Sequence, residues 1–202
     1  MQDYDLSVII YNLKNDKSTE LRLPVTEQAL KEYLQLDGFY DKNLYISSCG
    51  RGAGQDVRKL IDAKISQKAI DIKLLNQIGE IVKKSDVDRL CALNGLIEIS
   101  KVKTPQDIVK IDKTLDNYKM IFYGNEQRKE RLGYHLYNHF KSKVPVYKRS
   151  VEYIENIVDD FHKYSKGSFT KYGYLVKNYD KIKARCTDKG LKFIEEKQMY
   201  EE

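Results

Sequence analysis

The chain has 202 residues, 41% hydrophobic and 33% charged, with a formal charge of +6; that suffices for one sizeable domain or two to three small ones and argues against a disordered chain. No apolar run approaches the roughly eighteen residues of a membrane span, and Met1-Gln2-Asp3-Tyr4-Asp5 lacks the basic start of a signal peptide, so a cytoplasmic protein of the host bacterial cell is expected. Cys49, Cys91 and Cys186 are scattered and form no CxxC pair, which argues against a disulfide framework or a cysteine zinc site.

Ser7 to Leu13 (SVIIYNL) is rich in β-branched and aromatic residues. The turn-forming Lys14-Asn15-Asp16-Lys17 leads from it into alternating Glu20-Leu21-Arg22-Leu23, and together they predict a β-hairpin. Pro24 closes it; Thr26 is placed to cap a helix with Ala29, Leu30, Tyr33 and Leu34 on one stripe, ended by Gly38. A third strand, Leu44-Tyr45-Ile46-Ser47, runs into the glycine cluster between Cys49 and Gly54. That cluster fails both phosphate-binding patterns, because Gln55 stands where a dinucleotide fingerprint needs glycine and no Gly-Lys-Ser/Thr triplet follows. A surface loop is expected there.

From Ile70 to Lys113 the apolar spacing becomes helical. Leu74, Leu75, Ile78, Ile81 and Val82 form one stripe, Val87, Leu90, Cys91, Leu93 and Ile97 another, and Thr104-Pro105 is an N-cap followed by proline at the first helical position. Tyr118 to Tyr123 (YKMIFY) returns to strand character. Two helices follow, Glu126 to Lys141 with Leu132, Leu136 and Phe140 inward, and Ser150 to Ser165 with Val151, Ile154, Ile157, Val158 and Phe161 inward and Gly167 as its stop. The segment GSFTKYGYLVKN, residues 167 to 178, reads as a closing strand. The pattern predicts an α+β chain: small antiparallel sheet plus helix modules at both ends with a short helical module between them, divided as 1–66, 67–115 and 116–202.

No catalytic set stands out. His135 and His139 lie one helical turn apart, but the glutamate of a zinc-protease pattern is missing and only His162 remains as a third histidine. No metal and no cofactor is expected, and the chain reads as a binding protein rather than an enzyme. Its charge is uneven: residues 1–50 sum to −3, residues 51–120 to +4 and residues 121–202 to +5. Between Lys163 and Lys192 nine basic residues face only Asp180 and Asp188, a candidate polyanion surface.

The ordered segments LPVTEQAL, LLNQIGEIV, TLDNYKMIF, RLGYHL, YIENIVDDF and GSFTKYGYL resemble, over residues 6 to 176, the ArdA family of antirestriction proteins. That resemblance implies an elongated, commonly dimeric protein of a phage or other mobile element, which blocks host restriction-modification enzymes by imitating the shape and charge of DNA. Mimicry requires carboxylates standing in for phosphates, one charge per roughly 1.7 Å of duplex axis. Carboxylates at family-like positions are Asp107, Asp112, Asp116, Glu126, Glu152, Glu155, Asp159 and Asp160, with Lys110, Lys113 and Lys119 among them.

The expectation is a non-enzymatic counter-defence protein, antirestriction or anti-CRISPR in kind, whose partner is a host restriction or CRISPR effector complex. The alternative is direct nucleic-acid binding by the basic, tyrosine-rich C-terminal segment. Lys163, Lys166, Lys171, Lys177, Lys181, Lys183 and Arg185 would then contact phosphates, with Tyr172, Tyr174 or Tyr179 stacking on bases.

Overall fold

The computed structural model describes residues 6–12, 17–26, 28–29, 44–49, 56–60, 72–100, 102–121, 129–140, 150–187 and 191–194. The expected helix stripe at Leu30, Tyr33 and Leu34, the glycine loop, Glu126 and Lys189 lie outside them. The fold is α+β with small antiparallel sheets, as the apolar periods predict. The chain divides into two compact units, Met1–Leu115 and Asp116–Glu202.

In the first unit, β1 (Leu6–Asn12), β2 (Lys17–Leu23) and β3 (Leu44–Cys49) form an antiparallel sheet in the order β2-β1-β3. Alternation decides its faces: Leu6 pairs with Leu23 and Val8 with Leu21, and all four are buried, while Glu20 and Arg22 between them are exposed. Helix α1 (Ile72–Lys84) covers this face with Leu74, Leu75, Ile78, Ile81 and Val82, the predicted stripe. Two residues of the LLNQIGEIV segment fix the contact. Asn76 makes a two-way amide bond with Val25, accepting from its N–H at 3.0 Å and donating to its carbonyl at 2.7 Å. A Cβ at Gly79 would lie 2.8 Å from Leu23 Cβ, so only glycine lets the helix approach β2 this closely.

Helix α2 (Val87–Ile99) departs from the expected single stripe. Leu90, Ala92, Leu93, Asn94, Gly95, Leu96 and Ile97 are all buried, whereas Val87 is 49% exposed and Cys91 half-buried. The helix is enclosed on several sides rather than lying on a surface, which erases the amphipathic period. Asn94 is its polar exception, and it holds the helical segment 56–60: its Oδ1 accepts from Asp56 and Val57 N–H at 3.0 and 3.2 Å, and its Nδ2 donates to the Leu90 carbonyl at 2.8 Å. Helix α3 (Pro105–Asp112) begins as predicted, with Pro105 in its first turn and a capping box between Thr104 and Asp107.

In the second unit, β4 (Tyr118–Ile121), β5 (Ser168–Thr170) and β6 (Gly173–Lys177) form a sheet ordered β4-β6-β5, and β7 (Lys183–Cys186) pairs with β8 (Leu191–Ile194) in a separate hairpin. The closing segment is therefore two strands around a turn at Lys171-Tyr172, not one strand. Gly173, at φ +142°, starts β6, where a Cβ would meet the Ile121 carbonyl oxygen at 2.6 Å. Helices α4 (Lys129–His139) and α5 (Val151–Ser165) pack on each other and supply Leu132, Leu136, Ile154, Ile157, Val158 and Phe161 to one apolar core, joined by Tyr174, Val176, Leu191 and Phe193. Val151, expected inward, sits at the first helical position on the margin of the stripe and is 56% exposed. The helix ends one residue before Gly167: Lys166 itself takes the left-handed conformation, φ 50°, and donates its N–H to the His162 carbonyl.

The leucine-glycine segment of α4 is explained by Gly133. A Cβ there would lie 2.5 Å from Ile154 Cγ2 and 2.7 Å from the Ile154 carbonyl oxygen, and the latter is backbone that cannot rotate away. Gly133→Ala gains about 1 kcal/mol of helix propensity but overpacks the contact by about 1–3 kcal/mol. A lowered urea midpoint is expected. An unchanged or raised one would mean that the helices are not in this contact.

Candidate partner-binding surface

Helix α5 carries the clearest outward charge pattern of the second unit. Ser150 caps it, its Oγ accepting from Tyr153 N–H at 3.2 Å. Its inner face is locked by Tyr153, Ile154, Ile157, Val158 and Phe161, all buried. Glu152, Glu155 and Asp159 recur at helical spacing on the outer face and are exposed. Lys129 of α4 pairs with Asp159 at 2.6 Å, with both side chains about half in water. Asp160 is turned roughly 100° further round the helix. Burial, reinforced by Asp159 and opposed by Lys163, pushes its carboxyl above the ordinary value.

Asp107 and Asp112 belong to the first unit, and the structure engages both of them within it. Asp116 is exposed. Asp107 is spent on its own helix start, taking hydrogen bonds from Thr104 N–H at 3.1 Å, Thr104 Oγ1 at 2.8 Å and Lys110 Nζ at 2.8 Å. The Lys110 and Thr104 bonds hold its carboxyl well below the ordinary value.

Asp112 is likewise internal. It bonds Lys84 of α1 at 2.8 Å and Arg89 of α2 at 2.7 Å, and its side chain is 14% exposed. Asp112 thereby ties α3 to both helices. Burial alone would raise its carboxyl, but hydrogen bonds and charge from Lys84 and Arg89 outweigh it and leave the value lowered. A carboxyl depressed on folding adds stability above its unfolded value of about 3.9 and loses it as pH falls through the lower folded value. Asp112→Asn is therefore expected to cost about 1–2 kcal/mol at neutral pH. Its urea midpoint should converge on that of the parent chain as pH falls below about 4. A gap that is constant with pH would contradict the ion-pair account.

Of the residues expected to bind nucleic acid, Lys163, Lys166, Lys171, Lys177, Lys181 and Arg185 are exposed, Lys183 and Tyr172 half-buried. Tyr174 does not fit the stacking role. It is fully buried, its hydroxyl 2.9 Å from His162 Nδ1 and 3.0 Å from Ser165 Oγ, so stacking on a base would require unfolding the sheet. Tyr179, 3% exposed, is excluded likewise. Phe169, directly opposite Tyr174 in register, is the exposed ring of this hairpin, at 43%.

The β7–β8 hairpin sorts its residues by face. Ala184, Leu191 and Phe193 are buried, while Arg185 and Lys192, paired across the strands, point outward with Lys183. Between this hairpin and α5 lies a groove of about 570 Å³ lined by Asp160, Lys163, Tyr164, Thr187, Leu191, Lys192 and Phe193. Only charge density marked this region in the sequence; nothing there singled out Tyr164 or Phe193.

His135 and His139 are both exposed on α4, and among the described residues no three potential ligands gather as a metal site. Burial, with Asp88 adding, pushes the Cys91 thiol up, which disfavours the nucleophilic thiolate. Among the described residues no helix is long and apolar enough to cross a membrane.

Comparison with protein-family models, with curated proteins and with solved structures finds no match to this chain.

Proposed function

We propose that this chain is a non-enzymatic counter-defence protein of a phage or other mobile element, which binds and blocks a host restriction or CRISPR effector complex by partial imitation of DNA. The observation that supports this reading is the outward row Glu152, Glu155 and Asp159 on a helix whose opposite face is locked in the core. A preorganised row loses little side-chain and backbone freedom on docking. Its axial steps are about 4.5 and 6 Å at about 1.5 Å per residue, against about 3.4 Å per phosphate along one DNA strand. The row is thus a sparse negative edge, suited to a few arginines or lysines of a nucleic-acid channel. The net charge of +6 does not cancel it at contact range, because salt screens charges beyond about 8–10 Å. The exposed Lys129–Asp159 pair contributes little and exchanges readily for a partner's cation.

The test is capture of purified restriction and CRISPR effector complexes by the full chain. Capture is expected at about 50 mM salt, loss at about 500 mM, and at least a tenfold weaker interaction for the triple variant E152K/E155K/D159K. No capture at low salt, or capture unaffected by the triple variant, overturns the reading.

A second reading is favoured by the outward Lys183, Arg185 and Lys192 of the β7–β8 hairpin: direct, sequence-independent binding of nucleic-acid phosphates. Titration of labelled single- and double-stranded DNA and RNA at two salt concentrations separates the two. Strongly salt-dependent binding of bare nucleic acid belongs to the second and is not expected of the first.

A further inference from the structure

The groove between the C-terminal half of α5 and the β7–β8 hairpin combines three kinds of surface at one place. Tyr164 and Phe193 form an aromatic wall, their ring centroids 6.0 Å apart and their planes inclined by 31°. Leu191, fully buried, and Phe193, 6% exposed, close the floor, so the half-buried Tyr164 is the ring that offers area. Lys163 and Lys192 line the groove, and both residues are exposed. Asp160 and Thr187 complete the lining.

We propose that this groove binds a single nucleotide, free or as the terminal unit of a strand. The base lies along Tyr164, the phosphate between Lys163 and Lys192, and Asp160 accepts a hydrogen bond from a sugar hydroxyl or an exocyclic amine. Two ammonium groups against one carboxylate leave the lining with an excess positive charge, which selects an anion. Aromatic area beside paired cations is the combination by which proteins hold nucleotide units irrespective of base. The volume of about 570 Å³ lies within the roughly 300–1,000 Å³ of small-ligand sites. A bare phosphate would leave both the aromatic wall and Asp160 unused. The inference uses no residue of the Glu152, Glu155 and Asp159 row; it shares Lys192 with the nucleic-acid reading, and Lys183, which that reading needs and the groove does not, tells the two apart.

The test is calorimetric titration of the full chain, at about 50 mM salt, with adenosine 5′-monophosphate, a 5′-phosphorylated trinucleotide and inorganic phosphate. One-to-one binding is expected, at least about tenfold tighter for the nucleotides than for phosphate. Lys163→Glu and Tyr164→Ala should each weaken it about tenfold, and Lys183→Glu, on the hairpin's outer face, by less than about twofold. Lys163 is exposed, so its variant decides the matter if Tyr164→Ala does not fold. Equal affinity for mononucleotide and trinucleotide identifies a free nucleotide as the ligand; preference for the trinucleotide identifies a strand end. The proposal is overturned by the absence of saturable binding up to about 1 mM, by equal affinity for phosphate and nucleotide, or by equal weakening from Lys183→Glu.

Discussion

Phe161→Ala is expected to remove about 3–5 kcal/mol from the second unit, a large share of the 5–15 kcal/mol or so that holds a typical domain together. The ring is fully buried and lies 5.7 Å from Tyr174, 5.2 Å from Phe193 and 6.1 Å from Tyr179, so it joins α5 to β6, to the β7–β8 hairpin and to the turn between them. Deleting it empties a volume bordered by three elements, and no one of them is free to collapse into the space alone. Phe169→Ala is the control of equal chemistry: at 43% exposure it should cost no more than about 1 kcal/mol. With 16 tyrosines and no tryptophan in the chain, near-ultraviolet circular dichroism and tyrosine fluorescence during urea unfolding read both variants. Equal losses for the two would refute the described core.

The second large effect is expected at Asn94, a buried amide whose role no apolar residue of similar size reproduces. Asn94→Leu leaves the Asp56 and Val57 N–H groups and the Leu90 carbonyl without this partner, and Val57 is fully buried. The Leu90 carbonyl keeps its place within α2 and Asp56 is half-buried, so the cost falls mainly on the buried Val57 N–H, at about 1–3 kcal/mol, and a total loss of about 2–4 kcal/mol is expected. Hydrogen exchange adds a local readout. The amides of Asp56 and Val57 should lose protection out of proportion to the global loss, because the first turn of the 56–60 segment has lost its cap. Uniform loss of protection would show that Asn94 acts only by filling space.

The contrast between these two residues shows what the sequence reveals. Phe161 was legible as core because its neighbours Ile154, Ile157 and Val158 repeat at helical spacing, and Thr104-Pro105 and Ser150 were legible as helix starts because capping is local chemistry. The hairpin of β1 and β2 and the strand character of β3 and β4 followed equally from short-range pattern. Asn94, Asn76 and Gly79 were illegible in role, because their partners lie 37 to 56 positions away along the chain. Tyr174 illustrates the limit for function: lysines and tyrosines alternating around it resemble a stacking surface, and only its place in β6 shows a hydroxyl bonded to His162 and Ser165. Asp107 and Asp112 are the same lesson in carboxylates, since sequence registers their charge and not the cations and N–H groups already engaging them.

The strand order of the second unit governs when it can assemble. Ile121 pairs with Tyr174 and Tyr118 with Lys177, so among the described strands β4 waits more than fifty residues for its ladder partner, whereas β5 meets β6 within a few. Loop closure over that distance precedes any reward from the ladder, which slows the step relative to local contacts. A nascent chain halted near Lys166 holds α4 and α5 but neither β5 nor β6, leaving Met120 and Ile121 without the β6 ladder. Completion of this unit thus waits for β6, and termination before β6 leaves an apolar strand edge open to chaperones or to aggregation.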